Sequence, residues 1–178
     1  GNVNSDKVGV IDTNGNQIIP PIYESISLKK PGGVFRVSIG EKHGLIDTTG
    51  TVILPVDNKK VDDFYDGIAR VEKTVGLYGL VNIKGKWLLP AVYTEVYALN
   101  SKTGYSAKKD GQYSVYDNNM KLIIQADTAK AIKTSKKNIV FVFENSVKIF
   151  DISGKLIKTI KQENIDLYGT SFYSNEDS

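Results

Sequence analysis

Short apolar runs broken by turn residues recur along the whole chain, and no segment holds a helical period long enough to rival strands. One motif returns: an apolar pair, Asp or Asn, two residues, a turn residue, then an apolar run ending in Pro. Gly9-Val10-Ile11-Asp12-Thr13-Asn14-Gly15 closes at Ile18-Ile19-Pro20. Gly44-Leu45-Ile46-Asp47-Thr48-Thr49-Gly50 closes at Ile53-Leu54-Pro55, and Gly79-Leu80-Val81-Asn82-Ile83-Lys84-Gly85 closes at Leu88-Leu89-Pro90. A degraded copy runs from Ser114 through Asp117 to Met120, then Leu122-Ile123-Ile124. The fifth runs from Lys148 through Asp151 to Gly154, then Leu156-Ile157.

Asp12, Asp47, Asn82 and Asp117 stand 35 residues apart, and Asp151 follows after 34. Such regular spacing marks a repeat array. Each motif predicts a β-hairpin. The Asp side chain pre-forms the turn by bonding backbone N–H groups two residues on, and Gly supplies positive φ. The Pro lacks a donor, so it ends its strand or lies on an edge. Alternating runs such as Tyr23-Glu24-Ser25-Ile26 and Tyr93-Thr94-Glu95-Val96 predict a third strand. Runs such as Gly33 to Val37, Gly67 to Val71, Gly104 to Lys108 and Asn138 to Val142 predict a fourth. The expected fold is all-β, with 1–178 as a single β-repeat domain and repeats near 7–37, 38–71, 72–108, 109–143 and 144–175.

This repeat resembles the bacterial WG (KWG) repeat family. The resemblance rests on Gly-[Leu/Val]-[Ile/Val]-[Asp/Asn]-x-x-Gly, the apolar-Pro step, the Tyr that follows, and Gly-x-Ala-x-Val at Gly67 to Val71. It covers most of residues 7–125 and fades beyond. The name-giving Trp-Gly pair is missing, with Val8, His43, Tyr78 and Tyr113 at its Trp position. The resemblance implies a bacterial protein, exported or lipid-anchored upstream of these residues, and transfers no catalytic residue. From it we expect a periplasmic or surface location in the cell envelope. The polar opening Gly1-Asn2-Val3-Asn4-Ser5 shows no signal peptide.

Repeats stack in a line or close in a ring. The array opens on a hairpin and lacks a fourth-type strand before it; Gly169-Thr170-Ser171-Phe172-Tyr173 could supply it. We therefore expect a five-repeat, small-bladed β-propeller, with Phe172 and Tyr173 pairing near Val8 to Ile11. The alternative is an open β-repeat superhelix.

Charge narrows the function classes. Lys and Arg number 23 against 20 Asp and Glu, a net of +3. Residues 1–100 are balanced, with 11 of each sign; residues 101–161 carry 12 Lys against 5 acids, and residues 162–178 hold 4 acids and no base. Only Arg36 and Arg70 are Arg, which argues against nucleic-acid recognition. The absence of Cys excludes disulfides and thiolate chemistry. No apolar run approaches the roughly 20 residues that span a bilayer.

Candidate chemistry is sparse. The repeated Asp lacks the dense ligand spacing of a calcium loop, so turn formation is expected and no metal or cofactor. His43, the only His, shares its repeat position with Tyr78 and Tyr113, which favours packing. No nucleophile context appears. Glu24, Glu41, Glu72 and Glu95, with the cluster Asp62, Asp63 and Asp66, leave a carboxylate-dependent hydrolase as a third reading. Tyr65, Tyr97 and Tyr105 fall near connections and are ligand-binding candidates, for Tyr is a rigid, amphipathic contact residue. Lys130, Lys133, Lys136 and Lys137 fall in a connection with room for a helical turn; Lys133, Lys136 and Lys137 could meet an acidic partner. The leading expectation is a non-enzymatic binding or scaffolding module for a protein, with surface glycan binding as the alternative.

Overall fold

The computed structural model of the chain describes residues 6–29, 33–99 and 104–161. The described residues form antiparallel sheets joined by turns, with no helix among them. The first sheet has two strands, β1 (Val8–Ile11) and β2 (Gln17–Tyr23). The second orders β3 (Ser25–Lys29), β4 (Val34–Ile39), β5 (Lys42–Asp47) and β6 (Val52–Asn58). The third orders β7 (Lys60–Val61), β8 (Ile68–Thr74), β9 (Leu77–Asn82) and β10 (Trp87–Tyr93). The fourth orders β11 (Glu95–Ala98), β12 (Tyr105–Lys109), β13 (Gln112–Tyr116) and β14 (Leu122–Ala126). The fifth orders β15 (Ala131–Thr134), β16 (Asn138–Val142), β17 (Ser146–Asp151) and β18 (Leu156–Lys161).

Each four-stranded sheet joins the third and fourth strands of one sequence repeat to the hairpin of the next. The structural unit is thus half a repeat out of phase with the sequence motif. The edge strands β2, β6 and β10 run through Pro20, Pro55 and Pro90 rather than stopping there. Their outer rims need no donor, and register shifts absorb the local irregularity. The Lys130–Lys137 segment corrects the expected connection: Ala131–Thr134 is strand β15, with Ile132 paired to Phe141 and Thr134 to Ile139. Cross-strand pairing overrides the helical spacing of its small residues. The expected closing strand, Gly169 to Tyr173, lies outside the described residues.

The chain divides into two compact units, Gly1–Tyr97 with Ser106–Asp110, and Ala98–Tyr105 with Gly111–Ser178. In the first, Val34, Leu45, Leu54, Val61, Phe64, Ala69, Val71 and Val81 form one buried cluster. Ile19, Tyr23, Val37 and Ile46 form another. In the second, Tyr113, Val115, Ile124, Ala126, Ala129, Ile139 and Phe141 are buried together. The Phe141 ring meets Phe150 edge-on at 5.7 Å.

The hairpin turn also spaces neighbouring sheets. Gly85 has φ of +75°, and a Cβ there would lie 1.8 Å from the Ile53 carbonyl oxygen of the sheet before it. Gly50 stands in the same relation to Ile18, at 2.2 Å. The residue is Gly for two reasons at once, the left-handed backbone and the close approach.

Candidate functional site

The repeated acids are consumed by their turns. Asp12 Oδ1 accepts from the N–H groups of Asn14 and Asn16, each at 2.8 Å. Asp47 accepts likewise from Thr49 and Thr51, Asn82 from Lys84 and Lys86, Asp117 from Asn119 and Lys121, and Asp151 from Ser153 and Lys155. The bond from the Thr49 hydroxyl, then backbone donors, holds the Asp47 carboxyl below the usual carboxylate range. The Asn16 amide does the same for Asp12, and the Ser153 hydroxyl for Asp151.

The two arginines tie successive sheets together. Arg36 on β4 donates from Nη1 to the Val61 carbonyl of β7 at 3.0 Å. Arg70, at the matching place on β8, donates to the Val96 carbonyl of β11 at 3.3 Å. Their surroundings differ. Arg70 lies over the Tyr78 ring at 5.1 Å and the Tyr97 ring at 5.8 Å, and its Nε donates to Asp62 Oδ2 at 2.9 Å. Among the described residues Arg36 has neither ring nor close carboxylate; its ion pair with Asp63 is 4.0 Å long.

The cause is visible in the register. Tyr78 faces Tyr93 across β9 and β10; one period earlier, His43 faces Asn58 across β5 and β6. Tyr97, which flanks Arg70, has Asp62 as its counterpart one period earlier. Polar groups thus replace three tyrosines, and here the surface opens into a cleft of about 500 Å³ lined by Arg36, Glu41, His43, Lys59, Lys60 and Glu72. Lys59 is paired with Glu41, Lys60 with Asp62 at 2.9 Å, and the Glu72 carboxylate accepts from the Gly76 N–H at 2.9 Å. Burial, with Arg36 and Lys59 nearby, pushes the half-buried His43 imidazole below its ordinary value, so it is neutral at pH 7.

Beside it, Asn58 is fully buried, and its Nδ2 donates to the His43 carbonyl at 3.1 Å and the Pro55 carbonyl at 2.7 Å. That fixes the amide's orientation, since a flip would set oxygen against two carbonyls. Asn58 Oδ1 is left without a hydrogen-bond partner. A buried acceptor left so costs about 1–3 kcal/mol.

The sequence profile of the WG containing repeat matches residues 9–42, 44–74 and 78–113, more than half of the chain. The chain belongs to this family. No curated protein matches it. Solved structures similar to the WG-repeat chain include the eukaryotic initiation factor, at 12% identity and a TM-score of 0.49, covering 86% of this chain and 49% of that one. BamB from Moraxella catarrhalis aligns at 14% identity and TM-score 0.39, covering 89% and 56%. The computationally designed Ika8 protein aligns at 17% and 0.39, covering 89% and 57%. The chain spans about half the length of these structures.

His43 lies between the first two matched WG repeats and lines the cleft. None of the tyrosines and lysines singled out from sequence lines it. Tyr97 is exposed on β11 against Arg70, and Tyr65 is exposed where it bridges to Ile68. Tyr105 is half-buried at the start of β12. Lys133 is exposed on β15, and Lys136 and Lys137 are exposed at its turn to β16. Of the acidic cluster, Asp62 is tied up by its neighbours. Partial burial pushes the Asp62 carboxyl up, but the bonds from Lys60 and Arg70 outweigh it and hold the group below the usual range. Asp66 sits in a turn with φ of +50°. The sequence singles out His43 as a packing residue and Glu41 and Glu72 as scattered carboxylates, but no motif brings them together with Arg36, Lys59 and Lys60. Their signal is a loss of aromatics at positions 43, 58 and 62, visible only when the repeats are laid over one another.

Proposed function

We propose that this WG-repeat chain is a non-enzymatic binding module that takes a protein partner in the bacterial cell envelope. The observation that supports it is the cleft beside His43. One groove of a repeated framework is open and lined by charged side chains, while its counterpart one repeat later is filled by Tyr78, Tyr93 and Tyr97 around Arg70. Recognition surfaces arise on repeat scaffolds in this way, by side-chain divergence on a common backbone. The propeller form belongs to the same proposal: β1 and β2 make a sheet of two strands where each later sheet has four, and two further strands would complete it.

The test is site-resolved crosslinking. A photoreactive amino acid replaces Lys60, whose side chain is 60% exposed at the cleft, and in a control replaces Lys158 on β18. The full chain is then irradiated with bacterial envelope extract. The expected result is one defined protein adduct from position 60 and none from 158. No adduct, or equal adducts from both, overturns the reading. Tyr65 and Tyr97, 69% and 54% exposed, favour a glycan as the second reading. A glycan array without a hit removes it.

A further inference from the structure

We propose that the cleft between the β3–β6 and β7–β10 sheets is a carboxylate-binding site, in which Arg36 grips an acidic side chain or chain terminus of the peptide partner. The inference rests on the binding-module reading and names the chemistry of its ligand.

The argument starts from the two arginines. A guanidinium carries five N–H donors in a planar fork that matches a carboxylate. Arg70 spends its fork inside the protein: Nη1 on the Val96 carbonyl, Nε on Asp62, its faces against Tyr78 and Tyr97. Arg36, in register with it, spends one donor on the Val61 carbonyl. Its one ion pair, to Asp63, lies beyond hydrogen-bonding distance. The side chain stays one-third exposed and lines an open cleft. Arg70 holds the Asp62 carboxylate from the adjacent strand of its own sheet, whereas the residue across from Arg36 is Ser27, so Arg36 lacks the carboxylate that its counterpart has.

The rest of the lining agrees. Lys59 and Lys60 at the mouth are engaged by Glu41 and Asp62, which leaves the Arg36 guanidinium as the cation with donors to spare. The two lining carboxylates have partners already, Glu41 on Lys59 and Glu72 on the Gly76 N–H. The neutral His43 offers a hydrogen-bonding imidazole without adding charge repulsion toward Arg36. A single carboxylate therefore meets one forked donor and one imidazole, with two ion-paired ammonium groups at the rim. A neutral sugar leaves the fork unmatched, and the phosphate arm of the titration below separates phosphate from carboxylate, both of which suit an Arg fork.

The full chain is titrated with acetyl-tetraglutamate amide, acetyl-tetraglutamine amide and inorganic phosphate while the His43 ring and the Arg36 Nε–H are followed by NMR. Tetraglutamate should shift both signals at saturation, and tetraglutamine neither. Arg36→Ala should weaken binding at least tenfold, and Arg36→Lys, which keeps the charge and loses the fork, several-fold. Lys133→Ala should leave it unchanged. If Arg36→Ala does not fold, Arg36→Lys decides alone. Shifts confined to the Lys-rich segment after residue 101, equal binding of phosphate, or unchanged affinity in Arg36→Lys overturns the site. The position-60 adduct keeps the two readings apart. If it forms while tetraglutamate does not bind, the module stands and the carboxylate site falls; if neither is seen, both fall.

Discussion

Replacing Gly85 and Gly76 by Ala separates two costs that the turn combines. Both residues are left-handed, with φ of +75° and +77°. A Cβ at Gly76 meets nothing within 4 Å, whereas at Gly85 it would lie 1.8 Å from the Ile53 oxygen and 2.7 Å from its carbon. Gly76→Ala therefore carries only the left-handed penalty, about 1–2 kcal/mol. Gly85→Ala carries that penalty and must also push a neighbouring strand's carbonyl aside. Overpacking of this kind costs about 1–3 kcal/mol more. The expected totals are about 1–2 and about 2–5 kcal/mol. For a chain of this size each kcal/mol lowers Tm by about 2–4 °C. Thermal unfolding followed by circular dichroism measures both, with urea midpoints as a second reading. Equal losses would refute the argument, because the contact with Ile53 would then carry no energy and the Gly would be needed for φ alone.

Gly15→Ala tests the proposed closure: among the described residues a Cβ there meets nothing within 4 Å, so a loss as small as that of Gly76→Ala is expected of an open array, and a loss as large as that of Gly85→Ala is expected only if the ring closes. Met120 holds the turn position with φ of +63° in place of Gly. Met120→Gly relieves about 1–2 kcal/mol of strain and returns about 0.5–1 kcal/mol in chain entropy, for a net gain of about 0–1.5 kcal/mol in unfolding free energy from urea titration; a loss sinks the strain argument. Asp12, Asp47 and Asp151 titrate below their unfolded value of 3.8, so their stabilisation is complete above that pH and is lost as pH falls through the folded values. Replacing all three by Asn, which Asn82 shows to fit the same turn, should flatten the fall in urea midpoint between pH 7 and pH 3; an unchanged fall would mean that other carboxylates carry it.

The turns and strands were legible because local chemistry determines them. An Asp or Asn that bonds backbone donors two and four residues on, and an alternation of period two, need no tertiary information. The phase of the sheets was not legible. A period of 35 says that a unit recurs, not whether a hairpin pairs with the strands before or after it. Lys130 to Thr134 misled for the opposite reason: its local spacing suits a helix, and only the pairing of Ala131 and Lys133 with Val142 and Val140 makes it a strand. Tyr65, Tyr97 and Tyr105 were chosen for lying near connections, but closeness to a loop does not say which way a ring points. Exposure and the Arg70 stack distinguish them only in three dimensions.

Turn bonds and sheet spacing together explain how the side chains of one groove can differ from those of the next. The Asp or Asn of each hairpin, with Gly at four of the five turns, holds the backbone through contacts that do not involve the groove-facing side chains. At the groove, exchanging Tyr78 for His43, Tyr93 for Asn58 and Tyr97 for Asp62 leaves the Arg-to-carbonyl tie intact, at 3.0 Å in one sheet and 3.3 Å in the next. The framework thus keeps its spacing while the filling changes. The cost falls on Asn58, whose orphaned oxygen stays buried beside the cleft. A substitution set that only weakened packing would have no reason to leave a guanidinium aimed into the opening. In a repeat protein of this kind, the groove where aromatics give way to polar groups around a retained Arg is therefore the place to look for the ligand.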